Sequence, residues 1–134
     1  MSLSTQDSLD ILQLYSRYNT AIDTGDSMTF SNCFVADGKF DAGIQVMDGH
    51  EAIAGFAAGT HKALPGMRHN ATNIVIDGAG DRATGSAFLI GYDTTGGYKV
   101  IVTGRYMDEL TKTGQGWKFS KRIFSPDSLP NNPA

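Results

Sequence analysis

From Asp7 to about Thr24 the apolar positions Ile11, Leu12, Leu14, Tyr15, Tyr18 and Ile22 return at helical spacing, and Gly25 stands where a helix would stop. The pattern predicts one amphipathic helix, started by Ser4 or Asp7 as its cap. A shorter helix is expected in MTFSNCF, capped by Asp26 or Ser27, because Met28, Phe30 and Phe34 can meet near one side. Gly38 to Met47 reads as two short strands or one bent strand, since Asp37-Gly38 and Ala42-Gly43 carry turn chemistry. A third helix is predicted from Gly49 to about His61, with Ile53, Phe56 and Ala57 as its apolar stripe and Pro65-Gly66 as its end.

The period then changes from helical to alternating. Met67 to Ile76, Arg82 to Tyr92, Tyr98 to Leu110 and Trp117 to Phe124 are rich in β-branched and aromatic residues and are divided by DGAGD, DTTGG and TKTGQG. They read as four long strands joined by hairpins. Helices first and a meander afterwards argue an α+β fold with helices on one face of a curved antiparallel sheet. Gly85, Gly91 and Gly104 permit sharp bends, so the sheet can curl into a cone whose inside, closed by the first helix, is the default ligand site. Residues 1–125 are expected to form this single domain, and 126–134 a linker-like tail whose prolines stop strand pairing.

Composition narrows the function without naming it. The chain has 134 residues, enough for one core without disulfides or metals, and 40% of them are hydrophobic. A formal charge of -3 with no basic run gives no electrostatic footprint for nucleic acid or an anionic membrane. No apolar stretch is long enough to span a bilayer and the polar start MSLSTQDS does not resemble an export signal, so a cytoplasmic location is expected. The one cysteine, Cys33, reads as a small core residue, and the histidines show no ligand spacing, so neither a metal nor another cofactor is expected.

The runs RYNTAIDTGD, GHEAI, RHNATNIVIDGAGDRATG and GRYMDEL…GWKFSKR, in this order of elements, resemble the SnoaL-like branch of the nuclear transport factor 2-like superfamily. The resemblance covers nearly the whole chain. It implies a cone-shaped α+β barrel, commonly dimeric, whose cavity serves dehydratases, isomerases, cyclases, dehydrochlorinases or no known reaction. In site residues the chain is most similar to the scytalone dehydratase and hexachlorocyclohexane dehydrochlorinase group. That similarity implies a catalytic pair of Asp23, at the end of the first helix, and His69, at the start of the first long strand, with Arg122 after the W-K-F-S-K run. Tyr18 stands where the dehydrochlorinase has a lysine, and it matches the tyrosine oxyanion donor of the more distant ketosteroid isomerases, whose base lies near Asp41.

Each candidate has a structural alternative. A carboxylate in the last helical turn faces the negative end of the helix dipole, which an imidazole partner would relieve; otherwise Asp23, Thr24 and Asp26 simply form a polar turn. If His69 meets Asp23, the carboxylate fixes the ring tautomer and stabilises the imidazolium formed when the other nitrogen takes a proton. Otherwise His69 is a hydrogen-bonded core or edge residue. Tyr18 is either core or a donor to a substrate oxygen. Strict alternation puts Arg122 with Lys118, Ser120 and Phe124 on one face and Trp117, Phe119 and Ile123 on the other, so Arg122 binds developing charge only if the polar face turns inward. Tyr15, Phe34, Phe88 and Phe124 are the expected substrate-binding aromatics, while His50, Glu51 and His61 read as structural.

The reading that follows is a cofactor-independent lyase or isomerase that abstracts a proton from a small hydrophobic cyclic or aromatic substrate, in a homodimer. The alternatives are a noncatalytic ligand-binding or dimerisation module, and a polyketide-type cyclase.

Overall fold

The structure, a computed structural model, describes residues 2–127. Three helices, α1 (Thr5–Thr24), α2 (Ser27–Asn32) and α3 (Gly49–Ala63), are set against six strands. The strands are β1 (Phe34–Asp41), β2 (Val46–Asp48), β3 (Met67–Ala79), β4 (Arg82–Asp93), β5 (Lys99–Thr113) and β6 (Gly116–Pro126). Ser4 caps α1 by accepting from the Asp7 amide at 3.0 Å, and Gly25 ends it at a positive φ of 77°. Asp26 caps α2 through the Thr29 amide. Phe34, placed in the second helix by its spacing, instead opens β1.

The sheet runs β2-β1-β6-β5-β4-β3. It is mixed, not wholly antiparallel as the meander suggested, because β1 and β6 pair in parallel. No hairpin joins those two strands, so nothing local imposes opposite directions on them. Of the expected tail, Pro126 belongs to β6 and pairs with Gly104, and the Asp127 amide donates to the Thr103 carbonyl at 2.9 Å. Residues 128–134 lie outside the described part.

One irregularity decides which side chains of β6 enter the core. Glu109 pairs with Lys121 and Leu110 with Phe119, leaving Ser120 as the extra residue of a bulge, its hydroxyl donating to the Glu109 carbonyl at 3.0 Å. The bulge shifts the alternation by one. Trp117 and Phe119 before it, and Arg122 and Phe124 after it, therefore all face inward and are buried, contrary to the division that strict alternation gives. The core joins these to Ile11, Tyr15 and Tyr18 of α1, Phe30 of α2, Phe34 and Phe40 of β1 and Ile53 of α3. Leu12 lies at the margin of the helical stripe and remains 38% exposed.

Candidate active site

Asp23 sits in the last turn of α1 and His69 is the third residue of β3, and the fold brings them together. One carboxylate oxygen of Asp23 accepts from the His69 backbone amide at 2.7 Å, and the other lies 2.6 Å from ring Nδ1. Both side chains are about nine-tenths buried, with 10% and 11% of their surface exposed. A carboxylate accepts only, so Nδ1 carries the proton of this bond and Nε2 of a neutral ring is left with its lone pair. The backbone bond fixes the carboxylate and the ring bond fixes the imidazole.

His69 lines a partly open cavity of about 180 Å³ between α1, α3 and the inner face of the sheet. Tyr18 and Ile22 of α1, Phe56 of α3, Leu89 of β4, Tyr106 of β5 and Phe124 of β6 form much of its wall. Gly104 makes room for Phe124: a Cβ there would lie 2.5 Å from the Phe124 ring. That ring also packs on Tyr106, with centroids 5.1 Å apart. Ile44, in the turn between β1 and β2, reaches the mouth while 86% exposed. A cavity near 150 Å³ suffices for benzene, whereas drug-sized sites begin at about 300 Å³, so this volume fits one ring with few substituents.

Arg122 lies beside this cavity and does not line it. Its Nε donates to Asp108 at 3.0 Å, both side chains being almost wholly buried, and Tyr15 donates its hydroxyl to the other Asp108 oxygen. The guanidinium carbon is 3.5 Å from the ring centre of Tyr106 and 4.3 Å from that of Tyr18, with Phe119 and Tyr15 at 4.5 and 5.0 Å. The Nη1 and Nη2 groups of Arg122 are buried with no hydrogen-bond partner among the described residues, lying among these π faces. Burial is the largest single influence and disfavours the cation, but Asp108 together with the neighbouring tyrosines Tyr18, Tyr106 and Tyr15 outweighs it and keeps the guanidinium protonated. Burial likewise pushes the Tyr18 and Tyr106 hydroxyls up from their ordinary range, so both remain neutral, and the two rings meet edge to face with centroids 6.2 Å apart.

The remaining expectations divide by place. Phe124 and Tyr18 line the cavity; Tyr15 and Phe34 are buried in the core but are not part of its wall. Phe88 stands on the opposite, outer face of β4, half exposed beneath Arg105, because its neighbours Ala87 and Leu89 take the inward positions. Asp41 accepts from the Gly43 amide at 2.9 Å and tightens the β1–β2 turn. His50 bonds the Phe34 carbonyl at 2.7 Å, and the His61 ring packs against Gly25. Cys33 is buried, with its thiol pushed up to about 11 chiefly by that burial. Sequence reasoning passed over Tyr106 and Asp108, although Tyr106, Asp108 and Leu110 alternate on one face of β5, a period-2 signal open to reading.

Among the described residues no group of histidine, cysteine, aspartate or glutamate could hold a metal ion, and no helix is long and apolar enough to cross a membrane. No curated protein matches the chain. Among solved structures, Rv3472, a protein of unknown function from Mycobacterium tuberculosis, is 32% identical over 93% of this chain and 74% of its own, with a TM-score of 0.86. A nuclear transport factor 2-like protein with a cystatin-like fold from Novosphingobium aromaticivorans is 26% identical over 96% and 85%, with a TM-score of 0.85. A protein of unknown function with a cystatin-like fold from Nostoc punctiforme, 23% identical over 99% and 98% at a TM-score of 0.88, shares the fold. The SnoaL-like domain matches residues 4–123, and the chain belongs to that family.

Proposed function

We propose that this protein is a cofactor-independent lyase or isomerase that removes a proton from a carbon acid within a small, mostly hydrophobic cyclic substrate. The observation that carries the reading is the 2.6 Å contact between Asp23 and His69 Nδ1 at the wall of a mostly apolar, partly open cavity. Nε2 is the base, and Asp23 holds the tautomer and offsets the imidazolium that forms. Dispersion and desolvation from Ile22, Leu89 and Phe124 hold the ring, and Tyr18, Thr60, His69 and Tyr106 are the lining residues with polar atoms. Arg122 does not take the leaving group directly, since Tyr18 and Tyr106 stand between it and the ligand space.

The test is solvent exchange: single-ring ketones are incubated with the protein in deuterated water and followed by proton NMR. Enzyme-dependent exchange that disappears in His69→Ala, with unchanged circular dichroism, is the expected result. Exchange of equal rate in the variant would sink the mechanism. One observation favours a noncatalytic pocket protein instead: Asp23 spends one oxygen on the His69 backbone, as a structural tie between α1 and β3 would. That reading expects ligand binding with no exchange in the wild type.

The expected homodimer is supported by the outer face of the sheet, where Val75, Phe88, Ile90 and Met107 are exposed around neighbouring register positions of β3, β4 and β5. Pairing of two such faces would cover them.

A further inference from the structure

Three strands meet beside the base with no side chain on the middle one. Antiparallel register sets His69 of β3 opposite Gly91 of β4, and Gly91 opposite Val102 of β5. Residues directly opposite share a face of the sheet, and His69 and Val102 both line the cavity. A bulge completes the row: Gly91 pairs with Val102 and Tyr92 with Val100, so Ile101 is the extra residue, and unbulged pairing from Tyr92 would have put Ile101 opposite Gly91 instead. The missing side chain of Gly91 leaves a notch in this wall, and Met67 fills it. Met67 precedes His69 by two positions on β3 and shares its face, is 6% exposed, and also lines the cavity. Its Cε lies 2.6 Å from where a Gly91 Cβ would stand, with Val102 Cγ1 at 2.9 Å. The notch is thus closed by the end of one unbranched, adaptable side chain and not by backbone.

We propose that Met67 is the residue that fixes ligand size at the His69 end of the cavity: its thioether end over Gly91 holds the space to one ring, and its removal opens a notch that takes a second, fused ring. The inference rests on the reading above in taking this cavity as the substrate site, and adds where its substrate range is set. The notch is walled by the Met67 thioether, the Val102 methyls and the Gly91 backbone, so hydrocarbon enters it at less cost than a polar substituent. One methylene more or less in a hydrophobic pocket changes discrimination by about tenfold or more, so a space as large as a thioether end suffices to switch preference between one ring and two.

The experiment compares 4-nitroaniline with 4-nitro-1-naphthylamine, two uncharged dyes that differ by one fused ring, titrated against the whole chain and read by absorbance. The wild type is expected to prefer the single-ring dye. Met67→Ala is expected to move the ratio of the two affinities toward the fused-ring dye by at least about tenfold. Met67→Leu, which conserves volume and folding but lacks the terminal methyl over Gly91, should move it the same way by less. Gly91→Ala fills the notch from the other side and should weaken the single-ring dye; in Met67→Ala/Gly91→Ala that loss should disappear, because the new Cβ then occupies space that Met67 has left. A residue that only supported the fold would lower both affinities together and leave their ratio alone. Binding of neither dye, a wild type indifferent to the second ring, an unmoved ratio in both Met67 variants, or a Gly91→Ala loss that persists in the double variant would each overturn the proposal. Dye binding needs no turnover, so a His69 that fails as base is seen in the solvent-exchange test alone, with the dye ratios as expected.

Discussion

Replacing Asp108 by alanine should damage stability far more than removing the whole buried network. Asp108 accepts from Arg122 Nε at 3.0 Å and from the Tyr15 hydroxyl, and the ion pair's side chains are 1% and 0% exposed. Removing one partner of a buried pair leaves a charge without compensation, a cost of about 3–5 kcal/mol, and the stranded Tyr15 hydroxyl adds up to about 1–3 kcal/mol. Against a typical total of about 5–15 kcal/mol, Asp108→Ala lies near the edge of folding. At about 3–5 °C per kcal/mol for a chain of this length, the midpoint falls by roughly 10–40 °C. The triple variant Tyr15→Phe/Asp108→Leu/Arg122→Met removes every polar group of the network and should recover most of this loss, since apolar replacements of buried pairs are often neutral. Urea and thermal unfolding followed by circular dichroism measure both. A loss below about 1 kcal/mol in the single variant, or a triple variant no more stable than the single, would refute the reasoning.

Other outcomes follow from separate parts of the molecule. Lys112 and Trp117 donate to Asp7 at 2.9 and 3.0 Å, holding its carboxyl well below the usual carboxylate range, the Lys112 bond being the larger cause. Its stabilisation is therefore complete above the unfolded value near 4 and is lost as pH falls through the lower folded value, so the stability gap between wild type and Asp7→Asn should close toward low pH. Urea titrations read on the fluorescence of Trp117 would reveal a gap that does not close. A Cβ on Gly91 would meet Met67 Cε at 2.6 Å and Val102 Cγ1 at 2.9 Å, both cavity-lining side chains, so Gly91→Ala should weaken binding of a chromogenic single-ring probe such as 4-nitrophenol several-fold with the fold intact. Unchanged affinity by absorbance titration would show that the cavity has slack there. Phe88→Glu on the outer sheet face should convert the expected dimer to monomer in light scattering; a wild-type monomer, or a dimer indifferent to the charge, removes that face as the interface.

Where local chemistry governs, the sequence was readable. Gly25, Asp26 and Pro65 punctuate the helices as their conformational preferences require, and the four long strands fall within a few residues of their patterned runs. Asp23 and His69 were legible for a different reason: the resemblance supplied two positions 46 residues apart that no periodicity connects, and the geometry then gave their contact. The parallel pairing of β1 with β6 was not legible, because it depends on where a long chain returns and no turn between those strands records it. Phe88 was misplaced for want of the sheet's handedness, since its aromatic character suits either face of a strand.

Arg122 shows how much can hang on one residue that carries no chemistry. Alternation read from Trp117 and alternation read from Arg122 cannot both point inward unless a residue between them is left out of the ladder, and Ser120 is that residue. Without the bulge the strand would have to choose between burying Trp117 and Phe119 in the core and turning Arg122 and Phe124 inward. With it, β6 does both, and the inward turn of Arg122 then requires Asp108 two strand positions beyond Tyr106 on β5 as its counter-charge. Such a buried pair contributes little net stability over apolar packing, so its weight in the fold is felt chiefly when one partner is removed without the other.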